Sequence, residues 1–86
     1  MVGLGADYEL SYTFFMVADI LHLLEARPFV PFAIVTSSGQ RYKVPTADHI
    51  GFNPKRTRVI VYFDDDGHVP ISPLHITAIE VKPASA

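Results

Sequence analysis

The sequence predicts a mainly β domain that opens with an α-helix and continues as a small, strongly bent five-stranded antiparallel barrel. Three observations carry this expectation. After Thr13 the chain runs to Arg27 without Gly or Pro and with apolar residues at helical spacing. Beyond Pro28 the apolar residues fall into short runs rich in Val, Ile, Phe and Tyr. Those runs are separated by tight turns bearing Gly, Pro, Asn and Asp. An antiparallel meander closes only where its edges meet, and a proline in one short strand, Pro70, leaves that closure partial.

Residues 1–12 hold Gly3 and Gly5 with no clear period and read as a loose arm before a single domain over residues 13–83. Thr13 is a residue type that caps a helix by accepting from a free N–H of the first turn. At 100° per residue, Phe14, Met16, Val17, Ile20, Leu21, Leu23 and Leu24 fill about half of the helix circumference, opposite Asp19, His22 and Glu25. Such a stripe is wide enough to face both its own sheet and a neighbour. Phe15 falls on the polar side, where it is covered by the arm or serves as a subunit contact. Phe15, Met16 and Leu23 are accordingly the candidate oligomer contacts.

Arg27 suits the negative end of the helix dipole, and Pro28 ends the helix by disfavouring α geometry in the residue before it. The following Phe29-Val30-Pro31-Phe32 is extended, with two phenylalanines as anchors. Phe32-Ala33-Ile34-Val35-Thr36 reads as a strand, Ser37-Ser38-Gly39-Gln40 as a turn in which Gly39 supplies positive φ, and Arg41-Tyr42-Lys43-Val44 as an alternating return strand. Pro45 ends that ladder, so residues 47–52 are a short strand or a bent continuation of it. Asn53-Pro54-Lys55-Arg56 is a turn with proline at its second position. Residues 57–63 form the most apolar strand, Asp64-Asp65-Asp66-Gly67 a turn, Val69-Pro70-Ile71 an edge strand and residues 75–82 the last strand, ended by Pro83.

The chain has 86 residues, 49% of them apolar, with no cysteine and a formal net charge of −2. Apolar packing therefore has to hold a small domain together without disulfides or thiolate metal sites. Its apolar content exceeds what so small an interior needs, which points to self-association. A secretory leader is not expected, because Asp7 and Glu9 precede the apolar run and no Lys or Arg occurs before Arg27. A membrane span takes about 20 apolar residues, whereas the run at 14–24 is short and interrupted by Asp19 and His22. A cytoplasmic protein is the resulting expectation.

Chemistry-bearing patterns are sparse. The four histidines show no i, i+4 pair, and Asp64-Asp65-Asp66-Gly67 lacks the alternating acids of a calcium loop. Asp48-His49 has no companion ligands, Ser72 and His75 have no nucleophile elbow or orienting acid, and Gly3 and Gly5 follow no strand. The expectation is no enzymatic activity, no cofactor and no metal. Charge is more informative. Arg27, Arg41, Lys43, Lys55, Arg56 and Arg58 crowd residues 27–63, where Asp48 is the single acid. With Tyr42, Phe52 and Tyr62 nearby, this segment offers cations for phosphates and rings for bases.

Two resemblances rest on particular residues. Ile20-Leu21-x-Leu23-Leu24-x-Ala26-Arg27-Pro28-Phe29-x-Pro31-Phe32, then Gly39-x-x-Tyr42-x-Val44 and Leu74-His75-Ile76-x-x-Ile79-Glu80, resemble a family of small uncharacterised bacterial proteins. That resemblance implies that Met16 corresponds to the usual start and residues 1–15 to an extension; it brings no activity. The helix-then-strands order, Gly39 before Tyr42 and the closing His75-Ile76-x-x-Ile79 also resemble the Sm-like small barrel, an SH3-like fold found in ring-forming RNA chaperones of the bacterial host-factor type. In that family the loop after the second strand and the start of the last strand bind RNA. The resemblance thus implies Asp48, His49 and His75 as RNA contacts, with Lys55, Arg56 and Arg58 on a neighbouring turn. Val44 stands where that family has a second glycine, its Asp-x-x-Met-Asn element is absent, and Asp48 is displaced from the family's spacing.

The sequence therefore leads to a non-enzymatic homo-oligomer binding RNA or other single-stranded nucleic acid through Arg41, Lys43, Asp48, His49, Lys55, Arg56, Arg58 and His75, with no membrane partner. The rival reading is a protein-interaction or structural assembly module with no nucleic-acid role.

Overall fold

Residues 4–81 have a described backbone and residues 12–81 described side chains in this computed structural model. The elements run α1 (Leu4–Glu25), β1 (Phe32–Thr36), β2 (Arg41–Val44), a 3-10 turn (Ala47–His49), β3 (Ile50–Phe52), β4 (Val59–Tyr62), β5 (His68–Ile71), a second 3-10 turn (Pro73–His75) and β6 (Ile76–Val81). The first three residues of the expected arm, and Lys82 and Pro83 at the expected end of the last strand, lie outside the described residues.

The helix starts at Leu4, so residues 4–12 are helical rather than a loose arm, and Thr13 is interior to the helix instead of capping it. Nothing in residues 4–12 forbids this: the segment contains no proline, and Asp7 and Glu9 are the residue types favoured near the positive end of a helix dipole. At 1.5 Å per residue the helix is about 33 Å long. Its C-terminus follows the expected chemistry, with Arg27 Nη1 donating to the carbonyls of Leu24 at 3.1 Å and Ala26 at 2.9 Å.

The five-stranded barrel is not formed. Among the described residues six strands make two separate three-stranded antiparallel sheets, ordered β2-β1-β6 and β3-β4-β5. Both junctions between the sheets are broken at proline. Pro45 removes a ladder donor, and the turn at Ala47–His49 then redirects the chain, capped by Thr46 Oγ1 accepting from the Asp48 amide. Between β5 and β6 the turn at Pro73–His75 does the same, with Ser72 as its cap. Residues 47–52 are thus a turn plus a distinct strand rather than a continuation of β2.

Within the sheets the register follows the apolar pattern. Ile34 opposes Tyr42 on one side and Ile79 on the other, and Val61 opposes Ile50 and Val69. Inward residues of both sheets, including Ile34, Val44, Val59, Val61 and Ile76, are fully buried in one core, which Ile20 of α1 completes. Met16, Leu23 and Leu24 of the helix pack against it. Gly39 takes φ 89°, as its turn requires. Pro70 sits on β5, the outer strand of its sheet, where its missing N–H leaves the β4 ladder intact.

Candidate nucleic-acid interface

The basic residues fall into two groups on different sheets. Arg41 and Lys43 are exposed on the outer face of β2, opposite Val35 and Ala33 of β1. Arg41 reaches across β1 to form an ion pair with Glu80 of β6. This pair borders a groove of about 320 Å³ with Lys43 on its rim and Phe32, Ala33 and Val44 among its apolar lining. Arg41 is therefore engaged within the fold, while Lys43 meets no carboxylate among the described residues.

Lys55, Arg56 and Arg58 share the turn between β3 and β4, and all three are exposed. Asn53 organises this turn. Its Oδ1 accepts from the Arg58 amide at 2.7 Å, its Nδ2 donates to Thr57 Oγ1 at 2.8 Å, and its carbonyl accepts from the Arg56 amide at 2.9 Å. The closed turn holds Arg56 at φ 57°, in the left-handed region. No carboxylate among the described residues pairs with these three cations. Among the described residues their charge is thus unpaired, with Arg58 Nη1 donating to the Thr57 carbonyl at 2.9 Å, and it is concentrated on one hydrogen-bonded turn.

Asp48 and His49 lie in the 3-10 turn before β3. Asp48 is exposed, whereas His49 is built into the structure: Nδ1 meets Thr46 Oγ1 and Nε2 meets Asp64 Oδ1, both at 2.8 Å. The Asp64 contact ties the turn to the acidic loop after β4. His75 is separate from both groups. It lies beside Ser37, Ser38, Tyr42 and Ser72 in a cleft of about 350 Å³ between the β1–β2 turn and β5. The eight residues expected to form one surface are therefore distributed, and Lys55, Arg56 and Arg58 are the set that the fold gathers.

On the helix, Phe15 is 64% exposed and meets Phe14, itself 67% exposed, edge to face at 5.7 Å between ring centroids. Met16 and Leu23 instead place part of their surface on the core. Phe14 belongs to the apolar half of the helix, yet it stays largely exposed.

Sequence reasoning did not single out Asn53 or Glu80 as site residues, whereas Tyr62 was among the rings expected near the basic segment. Asn53 was legible as a turn residue before proline, and its side-chain bonds are the usual use of that residue type. Glu80 gains its role from a register that spans 39 positions of the chain. Tyr62 is 41% exposed, and its ring lies against Gly51 on the outer face of the second sheet.

Among the described residues no three His, Asp or Glu converge as a metal-binding group, and no helix is long and apolar enough to cross a membrane. Comparisons with protein-family models, with curated proteins and with solved structures find no match to this chain.

Proposed function

We propose that this chain is a non-enzymatic, cytoplasmic binding protein that takes single-stranded nucleic acid on the β3–β4 turn. The observation that carries this reading is the cluster of Lys55, Arg56 and Arg58 on one ordered turn with no carboxylate partner among the described residues. A phosphate backbone is bound mainly by such unpaired cations, through release of its counterions. Along β4, Val59 and Val61 are buried while Ile60 is half-buried and Tyr62 exposed. Strand alternation therefore assigns Arg58 and Tyr62 to one face, about 13 Å apart at the usual rise per residue. The guanidinium serves a phosphate and the ring serves a base. Asp64, Asp65 and Asp66 follow Tyr62 and repel phosphates beyond it, so the strand is held at the basic pole of the sheet.

The test is fluorescence anisotropy of a labelled single-stranded RNA titrated at several salt concentrations. Binding weakens steeply with salt, and replacing Lys55, Arg56 and Arg58 together by alanine lowers the log–log salt slope by about 2, from about 0.7 per phosphate contact. No detectable binding at low salt, or an unchanged slope in the triple variant, overturns the reading. The exposed Phe14 and Phe15 favour a protein contact as well, and they bear on assembly.

A further inference from the structure

Two separate three-stranded sheets leave four strand edges, and an edge carries unpaired N–H and C=O groups that can template another strand. Three of these edges are protected by their own residues. β2 carries Arg41 and Lys43, β3 has only three residues, and β5 contains Pro70. The fourth, β6, has six described residues, none of them Pro, Lys or Arg; Lys82 and Pro83, which follow in the sequence, lie outside the described residues. Its one charged side chain, Glu80, is held by Arg41.

The surroundings of β6 are apolar. At its start the Tyr12 hydroxyl donates to the Ile76 carbonyl, which ties α1 to the strand and leaves residues 77–81 as the open run. Leu74, on the 3-10 turn that precedes the strand, and Val81, at its end, are both exposed.

We propose that the β6 edge docks a second copy of this chain, with β6 pairing antiparallel to β6 of that copy. Three features select a second copy. An antiparallel strand pairs with itself about a two-fold axis, so one contact closes both unprotected edges. The Arg41–Glu80 ion pair neutralises the carboxylate that two-fold pairing would otherwise bring toward its own copy. The joined sheet, in the order β2-β1-β6-β6-β1-β2, ends on both sides in strands bearing Arg41 and Lys43, which stops growth at two chains. This surface lies on the first sheet, whereas the β3–β4 turn belongs to the second, and it does not depend on nucleic-acid binding.

The experiment is light scattering on the full chain over a range of concentrations, beside a Thr77→Lys/Val81→Lys variant. The native chain has twice the mass of one copy. The lysine variant has the mass of one copy with an unchanged circular dichroism spectrum. Hydrogen exchange of the native chain, which is independent of any variant's folding, shows amides of residues 77–81 protected more strongly as concentration rises. A native monomer at every concentration, a dimer that persists in a folded lysine variant, or concentration-independent exchange at residues 77–81 overturns the proposal.

Discussion

The imidazole of His49 joins Thr46 to Asp64, with 2.8 Å at each ring nitrogen, so that one side chain connects the turn before β3 to the loop after β4. The two ends of this link are unequal. The Asp64 side chain is 93% exposed, while that of His49 is only 21% exposed. A solvated carboxylate adds little to an ion pair, so Asp64→Ala lowers stability by less than about 1 kcal/mol. His49→Ala loses both contacts and a largely covered ring, and costs about 1–2 kcal/mol. Urea unfolding of the two variants, compared at equal m value, checks the order.

Two glycines predict different responses to alanine. Gly39 takes φ 89° with nothing within 4 Å of an added Cβ, so Gly39→Ala carries only the backbone cost of the left-handed region, about 1–2 kcal/mol. At Gly51 the added Cβ would lie 3.3 Å from Cε2 of Tyr62, and the cost there depends on whether that ring can shift. Tyr62→Ala therefore relieves Gly51→Ala but leaves Gly39→Ala unchanged. A double-mutant cycle by thermal or urea unfolding reads a coupling of about 0.5–3 kcal/mol for the first pair and none for the second.

Under the proposed function, Arg41 is the basic residue whose guanidinium already has a carboxylate partner. Its guanidinium is engaged by Glu80, so Arg41→Ala leaves the salt slope of RNA binding as it is in the native chain. Glu80→Gln frees the guanidinium and strengthens binding at low salt. The same anisotropy titration checks both. A reduced slope in Arg41→Ala would move the interface onto the first sheet.

Much of the local structure was legible. Helix over residues 14–25, Phe32–Thr36 and Arg41–Val44 as a hairpin around Gly39, and Pro70 as an edge residue were each readable, because each depends on neighbours within a few positions. The start of the helix was not legible, since Gly5 and mixed polarity hide a segment that local rules do not forbid. Among the expected site residues, the crowding of Lys55, Arg56 and Arg58 was plain from their spacing. The engagement of Arg41 and of His49 was not, since Glu80 and Asp64 approach them only through strand pairing.

By itself the sequence determined the order of helix and strands, the turn chemistry and the excess of apolar surface, all of which follow from backbone preference and periodicity. Only the tertiary structure decided that the strands divide into two sheets. Pro45 and Pro73 announce breaks in the chain, but whether strands on either side of a break still pair depends on contacts between distant segments. It also decided where the apolar excess lies. Phe14 belongs to the apolar half of α1 by spacing, yet it is left uncovered by the chain's own core, which reaches Val17 and Ile20. Periodicity assigns a residue to a face, whereas its burial depends on how far the packed body extends along that face.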